Sequence, residues 1–83
     1  MKFSNLDTVR LLVDVQQPDA RDCMLFMPAG AVGMVVEAYG DDCDVEFLTY
    51  AQKDLGGPPI DSCGVLELPV SVLEMVIPWH EHA

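Results

Sequence analysis

Gly30-Ala31-Val32-Gly33-Met34-Val35-Val36-Glu37-Ala38-Tyr39-Gly40-Asp41-Asp42-Cys43-Asp44-Val45-Glu46-Phe47 is the stretch that decides the fold. Ala31 to Tyr39 is rich in valine and bounded by two glycines. It carries apolar side chains on both faces near Val32, Met34, Val35 and Val36, the pattern of a strand rather than a helix. Gly33 inside it predicts a bulge or sharp bend. Gly40-Asp41-Asp42 has the composition of a turn. From Cys43 to Tyr50 alternation resumes, with Val45 and Phe47 on one face and Asp44 and Glu46 on the other. Two such arms about one tight turn form a β-hairpin.

Upstream, Val9, Leu11, Val13 and Val15 alternate with Thr8, Arg10, Leu12 and Asp14, so Asp7 to Val15 reads as a first strand. Gln16-Gln17-Pro18-Asp19 is expected to end it, because proline removes a ladder donor, and a long loop is expected to run on to Gly30. Downstream, Ala51 to Asp61 contains Gly56-Gly57-Pro58-Pro59 and reads as a second loop without a helix. Ser62 to Leu68 gives a fourth strand with Leu66 and Leu68 inward, ended by Pro69. Val70 and Leu73 stand three apart, as on one 3-10 turn. Met75 to Ile77 forms a short last strand before Pro78. Five short strands and no long amphipathic helix predict an all-β domain, a small, strongly bent five-stranded antiparallel barrel. It is expected to be a single domain over 1–83, with 78–83 as a tail.

The chain has 83 residues, 51% hydrophobic, and a formal net charge of -10. At this size a deep catalytic cleft is not expected. Lys2, Arg10, Arg21 and Lys53 stand against fourteen acidic residues. Tight binding to nucleic acid needs Lys and Arg to neutralise phosphates, so direct binding to DNA or RNA is not expected. The same balance argues against anionic membrane surfaces and leaves open a basic protein partner or imitation of a nucleic-acid backbone. Cys23, Cys43 and Cys63 are odd in number and form no C-x-x-C pair, so they read as reduced, semi-buried thiols. Polar Ser4, Asn5 and Asp7 soon follow Met1-Lys2-Phe3, leaving no apolar signal region, and a cytoplasmic location is expected. The longest uncharged stretch, Cys23 to Val36, is too short to span a bilayer and is broken by Pro28, Gly30 and Gly33.

The order D-T-V-R-L-L at Asp7 to Leu12, G-A-V-G-M-V-V-E-A-Y at Gly30 to Tyr39, D-V-E-F at Asp44 to Phe47 and L-P-V-S-V-L-E-M-V-I-P at Leu68 to Pro78 resembles a family of small bacterial proteins known as domain of unknown function 4926. The resemblance covers nearly the whole chain and implies an SH3-like barrel. A strand, a G-x-x-G-x-V turn and a V-E-F arm are also similar to KOW-type domains and to the barrel of the nitrile hydratase β subunit.

Among candidate sites, Asp41, Asp42, Asp44 and Glu46 form an acidic patch. Their spacing lacks the twelve-residue EF-hand pattern, so the simple reading is a solvated turn rather than a cation site. Trp79-His80-Glu81-His82 places two histidines two apart, which does not by itself make a metal site. Ser4, Ser62 and Ser71 lie in no nucleophile elbow, so neither catalysis nor a cofactor is expected. The informative run is Cys23-Met24-Leu25-Phe26-Met27-Pro28, apolar residues in an expected loop. Either they cap the core, or Met24, Leu25, Phe26 and Met27 form an adaptable contact surface with Asp19 and Asp22 at its rim. The expected function is a non-catalytic acidic interaction module that neutralises or regulates a basic, nucleic-acid-binding protein such as a toxin or effector. The alternative is an accessory barrel supporting a metalloenzyme of the nitrile hydratase type. A homodimer through the apolar loop or an uncovered strand edge is a further expectation.

Overall fold

The computed structural model describes residues 2–81. Its strands are β1 Thr8–Leu11, β2 Val15–Pro18, β3 Met24–Met27, β4 Val32–Ala38, β5 Asp42–Phe47, β6 Gly64–Pro69 and β7 Leu73–Ile77. One helical turn, α1, covers Gln52–Leu55, and 3-10 turns cover Thr49–Ala51, Val70–Val72 and Trp79–Glu81. Five strands form an antiparallel sheet in the order β6-β5-β4-β1-β7, and β2 and β3 pair as a separate hairpin. The all-β class is therefore shown: the main antiparallel sheet has the five strands expected, and two further strands among the described residues form the hairpin.

The expected barrel closure is not found. Among the described residues β6 and β7 do not pair, and they stand at opposite edges of the sheet. The inner face is covered instead by the β2–β3 hairpin, whose Leu25 and Met27 join the core made by Val9, Leu11, Val35, Val45, Phe47, Leu66 and Leu68. Burying those two side chains offsets part of what strand closure would otherwise supply.

The expected first strand breaks in two. The chain bends after Leu11, leaving Leu12 and Val13 exposed, while Asp14 turns back to accept the Ala29 N–H at 2.7 Å. Gln16, Gln17 and Pro18 do not end a strand; they lie in β2. The reason is register. Asp19 N–H donates to the Cys23 C=O at 2.8 Å, and bonded pairs alternate with unbonded ones. The next pair, Pro18 with Met24, is therefore unbonded, and the proline nitrogen faces away from β3, where no ladder bond is lost.

Gly33 is not the bulge. The register between β4 and β5 shifts between Val35 and Glu37, so the extra residue is Val36. Gly33 is instead a site of close approach, where a Cβ would lie 2.6 Å from Val45 Cγ1 and 2.7 Å from the Glu46 carbonyl oxygen. The second expected loop contains α1, which Gly56 ends in the left-handed region at φ 79°. The β4–β5 hairpin, the inward Leu66 and Leu68, and the 3-10 turn before the last strand agree with the sequence reading.

The first and last described segments meet at Asp7. Its buried carboxylate accepts the Ser4 N–H and the Trp79 N–H, each at 2.8 Å. Pro78 and the 3-10 turn after it are thus tied to the start of β1. Trp79 itself is 52% exposed and is not part of the core. His82 lies outside the described residues, and so does its pairing with His80.

Candidate functional site

The apolar run of the sequence is a strand rather than a loop, and alternation divides it. Along β3, Leu25 and Met27 are 7% and 0% exposed, while Met24 and Phe26 are 61% and 55% exposed. Leu25 and Met27 complete the core, as the capping reading expects, and Met24 and Phe26 are left exposed on the outer side. Met24 pairs with Pro18 and Phe26 with Gln16, so these four side chains share the outer face of the hairpin.

Asp19 holds the turn that joins β2 to β3. One carboxylate oxygen accepts the Arg21 N–H at 2.8 Å and the Cys23 N–H at 2.9 Å; the other meets the Arg21 guanidinium at 3.3 Å. The Asp22 N–H closes on the Asp19 carbonyl at 3.0 Å, with Asp22 itself in the left-handed region at φ 62°. Asp19 is therefore not an exposed rim charge. The Cys23 and Arg21 amides and the Arg21 guanidinium hold its carboxyl below the ordinary 3.8, against the opposing effect of burial. Asp22 is exposed on the same turn.

The acidic patch is laid out along β5. Asp42, Asp44 and Glu46 alternate with buried Cys43, Val45 and Phe47 and so share the outer face, while Asp41 sits in the preceding turn. Across the register Asp44 faces Glu67, and Glu46 faces Val65, on β6. The Tyr39 hydroxyl donates to Asp44 at 2.7 Å. That bond, with desolvation and the surrounding carboxylates, pushes the phenol up to about 12. Among the described residues no three His, Cys, Asp or Glu side chains come together as a metal site.

The hairpin and the patch meet in a groove of about 440 Å³ lined by Gln17, Pro18, Tyr39, Asp44, Val65 and Glu67 among others. Gln17 spans it, its Nε2 donating to the Glu67 carbonyl at 2.8 Å. Beyond Val65 a second hollow of about 310 Å³ continues past Arg21, Glu46 and Cys63. Pro18 belongs both to the apolar outer face and to the groove, so the two surfaces are continuous.

Gln17, Tyr39, Val65 and Glu67 were not evident as site residues from the sequence. The available signal was parity: with Leu66 and Leu68 inward, Val65 and Glu67 must face outward. Placing them beside Asp44 and Glu46 additionally requires the β5–β6 register.

The thiols are all free, with Cys43 buried and Cys23 and Cys63 exposed, which corrects the expectation of three semi-buried residues. Burial, then Asp44 and Asp42, raises Cys43 to about 11. The Thr49 N–H, 3.3 Å from the sulfur, lowers Cys63. No helix among the described residues is long and apolar enough to cross a membrane. Comparison with known proteins returns no matching family model, curated protein or solved structure.

Proposed function

We propose that this chain is a non-catalytic, cytoplasmic interaction module of SH3-like type, related to domain of unknown function 4926, that binds a basic protein such as a nucleic-acid-binding toxin or effector. The five-stranded order, the hairpin inserted between β1 and β4, and the 3-10 turn before β7 support the SH3-like assignment. The functional reading rests on one observation: an exposed Pro18, Met24 and Phe26 face runs into a groove carrying Asp44 and Glu67. Apolar anchors give affinity at an interface, and complementary charge gives encounter rate and specificity.

Binding of three polypeptides tests this: a lysine homopolymer, a lysine–leucine copolymer and a glutamate–leucine copolymer. The lysine–leucine copolymer is expected to bind most tightly and the glutamate copolymer not at all. A Met24→Ser/Phe26→Ser variant is expected to keep its melting temperature and lose the preference for leucine. Undiminished binding by that folded variant rejects the hairpin face as the anchor.

A further inference from the structure

The β5–β6 register fixes which backbone groups of β6 point off the sheet. The Val70 N–H donates to the Asp41 carbonyl at 2.8 Å, which makes Asp41 and Val70 a hydrogen-bonded pair. Bonded and unbonded pairs alternate in an antiparallel ladder. Along the observed register, Cys43 with Leu68, Val45 with Leu66, and Phe47 with Gly64 are then bonded pairs, while Asp44 with Glu67 and Glu46 with Val65 are unbonded. The N–H and C=O groups of Val65 and Glu67 therefore face away from β5. Gln17 agrees independently, since its side chain reaches the Glu67 carbonyl from the far side.

β6 is an edge strand, and the two hollows beside it share Asp19, Ala20 and Val65. They form a trough along the edge, walled by the β2–β3 turn. A strand edge with outward donors and acceptors is a template for another strand. Its charge selects the occupant. Asp44, Glu46 and Glu67 lie on the outer face next to the edge, so a second copy, itself carrying a net charge of -10, would be repelled. A strand with Lys or Arg at every second position on the outer face would set one cation opposite Glu67 and the next opposite Val65, their long side chains reaching toward Asp44 and Glu46 one strand further in.

We infer that β6 binds its partner by strand addition, taking an extended basic segment into the trough through the Val65 and Glu67 backbone; this rests on the reading of the chain as a module for basic partners. The Val65 N–H and C=O and the Glu67 N–H pair with the incoming backbone, and Gln17 releases the Glu67 carbonyl to it. Pro69, at the end of β6, has no N–H and limits the added strand to about four residues.

The test uses the full chain, labelled for amide detection. One peptide alternates lysine with threonine; its twin has the same sequence with every backbone nitrogen methylated; a third carries glutamate for lysine. The lysine peptide is expected to bind and to slow exchange of the Val65 and Glu67 amides. Methylation is expected to weaken binding about tenfold or more, because the backbone bonds are lost while the charge is kept. Val65→Pro is expected to weaken the unmodified peptide similarly; if that variant does not fold, the methylated peptide decides alone. Equal binding of the methylated and plain lysine peptides overturns strand addition and leaves the basic-partner reading standing. Failure of the lysine peptide to bind better than the glutamate peptide overturns both.

Discussion

At the scale of single residues, the side chain of Gln52 stands in for a strand backbone. It is 1% exposed. Its Oε1 accepts the Val32 N–H at 2.8 Å, and its Nε2 donates to the Val32 carbonyl at 2.6 Å and the Leu48 carbonyl at 3.2 Å. The ladder that β4 makes with β5 stops at Gly33 and Phe47, so Gln52 satisfies the backbone of the next residue. Gly57 makes room for it, since a Cβ there would collide with the amide oxygen. Gln52→Ala leaves a buried donor and acceptor without partners, and an expected cost of about 2–4 kcal/mol follows. Urea denaturation checks it: a midpoint unchanged from that of the parent chain shows that water or another side chain replaces the amide. None of this was legible in the sequence. A glutamine beside Lys53 and Asp54 carries no apolar signature, and hydropathy patterns do not register a polar group buried by hydrogen bonds.

At the scale of the element, β2–β3 is where the sequence was hardest to read. Met24 to Met27 are all apolar, so the in-and-out parity that marks other strands is silent here, and Pro18 argues against a strand until its register is known. The structure makes the four positions unequal. Leu25→Ala and Met27→Ala are each expected to cost about 2–5 kcal/mol through lost burial and residual cavity. Met24→Ser and Phe26→Ser are expected to stay within about 0.5 kcal/mol. Thermal unfolding of the four variants separates the pairs, and equal losses in all four would contradict the observed parity. The turn adds a pH dependence. Because the folded state holds the Asp19 carboxyl below the ordinary 3.8, its contribution is fully present above that value and fades as the pH falls through the lower folded one. Protection of the Cys23 amide, its exchange by NMR divided into the rate of an unstructured amide at the same pH, is expected to fall over that window, and Asp19→Asn to remove the dependence. Protection in the parent chain that stays constant through the window would contradict the role given to the carboxylate.

At the scale of the whole molecule, the β4–β5 hairpin, the inward face of β6 and the turn before β7 were readable because local alternation and punctuation specify them. Closure was not, because whether two distant strands pair depends on cumulative twist and on what else covers the core. The acidic trough was half legible: the charges are visible, but their neighbours across the register are not. Fourteen acidic and four basic side chains sit on a body with a radius of gyration of 11.5 Å, which is wider than a Debye length of about 8 Å at physiological salt and narrower than the roughly 30 Å at 0.01 M. Self-repulsion is therefore felt across the molecule at low salt and screened at high salt. The melting temperature is expected to rise by several degrees between about 0.01 and 0.15 M sodium chloride. A fall on adding salt, seen by calorimetry, would mean that the Arg10–Glu74 and Arg21–Asp19 pairs outweigh the repulsion.

The Asp7 clasp has a practical consequence for spectroscopy. The single indole of the chain belongs to Trp79, anchored through its own amide to Asp7 and set apart from the sheet's interior. Its emission follows release of the closing turn from the first strand, while the circular dichroism of the ladder follows the sheet. Two unfolding curves recorded on one sample are thus separate gauges of seam and body, and any gap between them measures how far the seam opens alone.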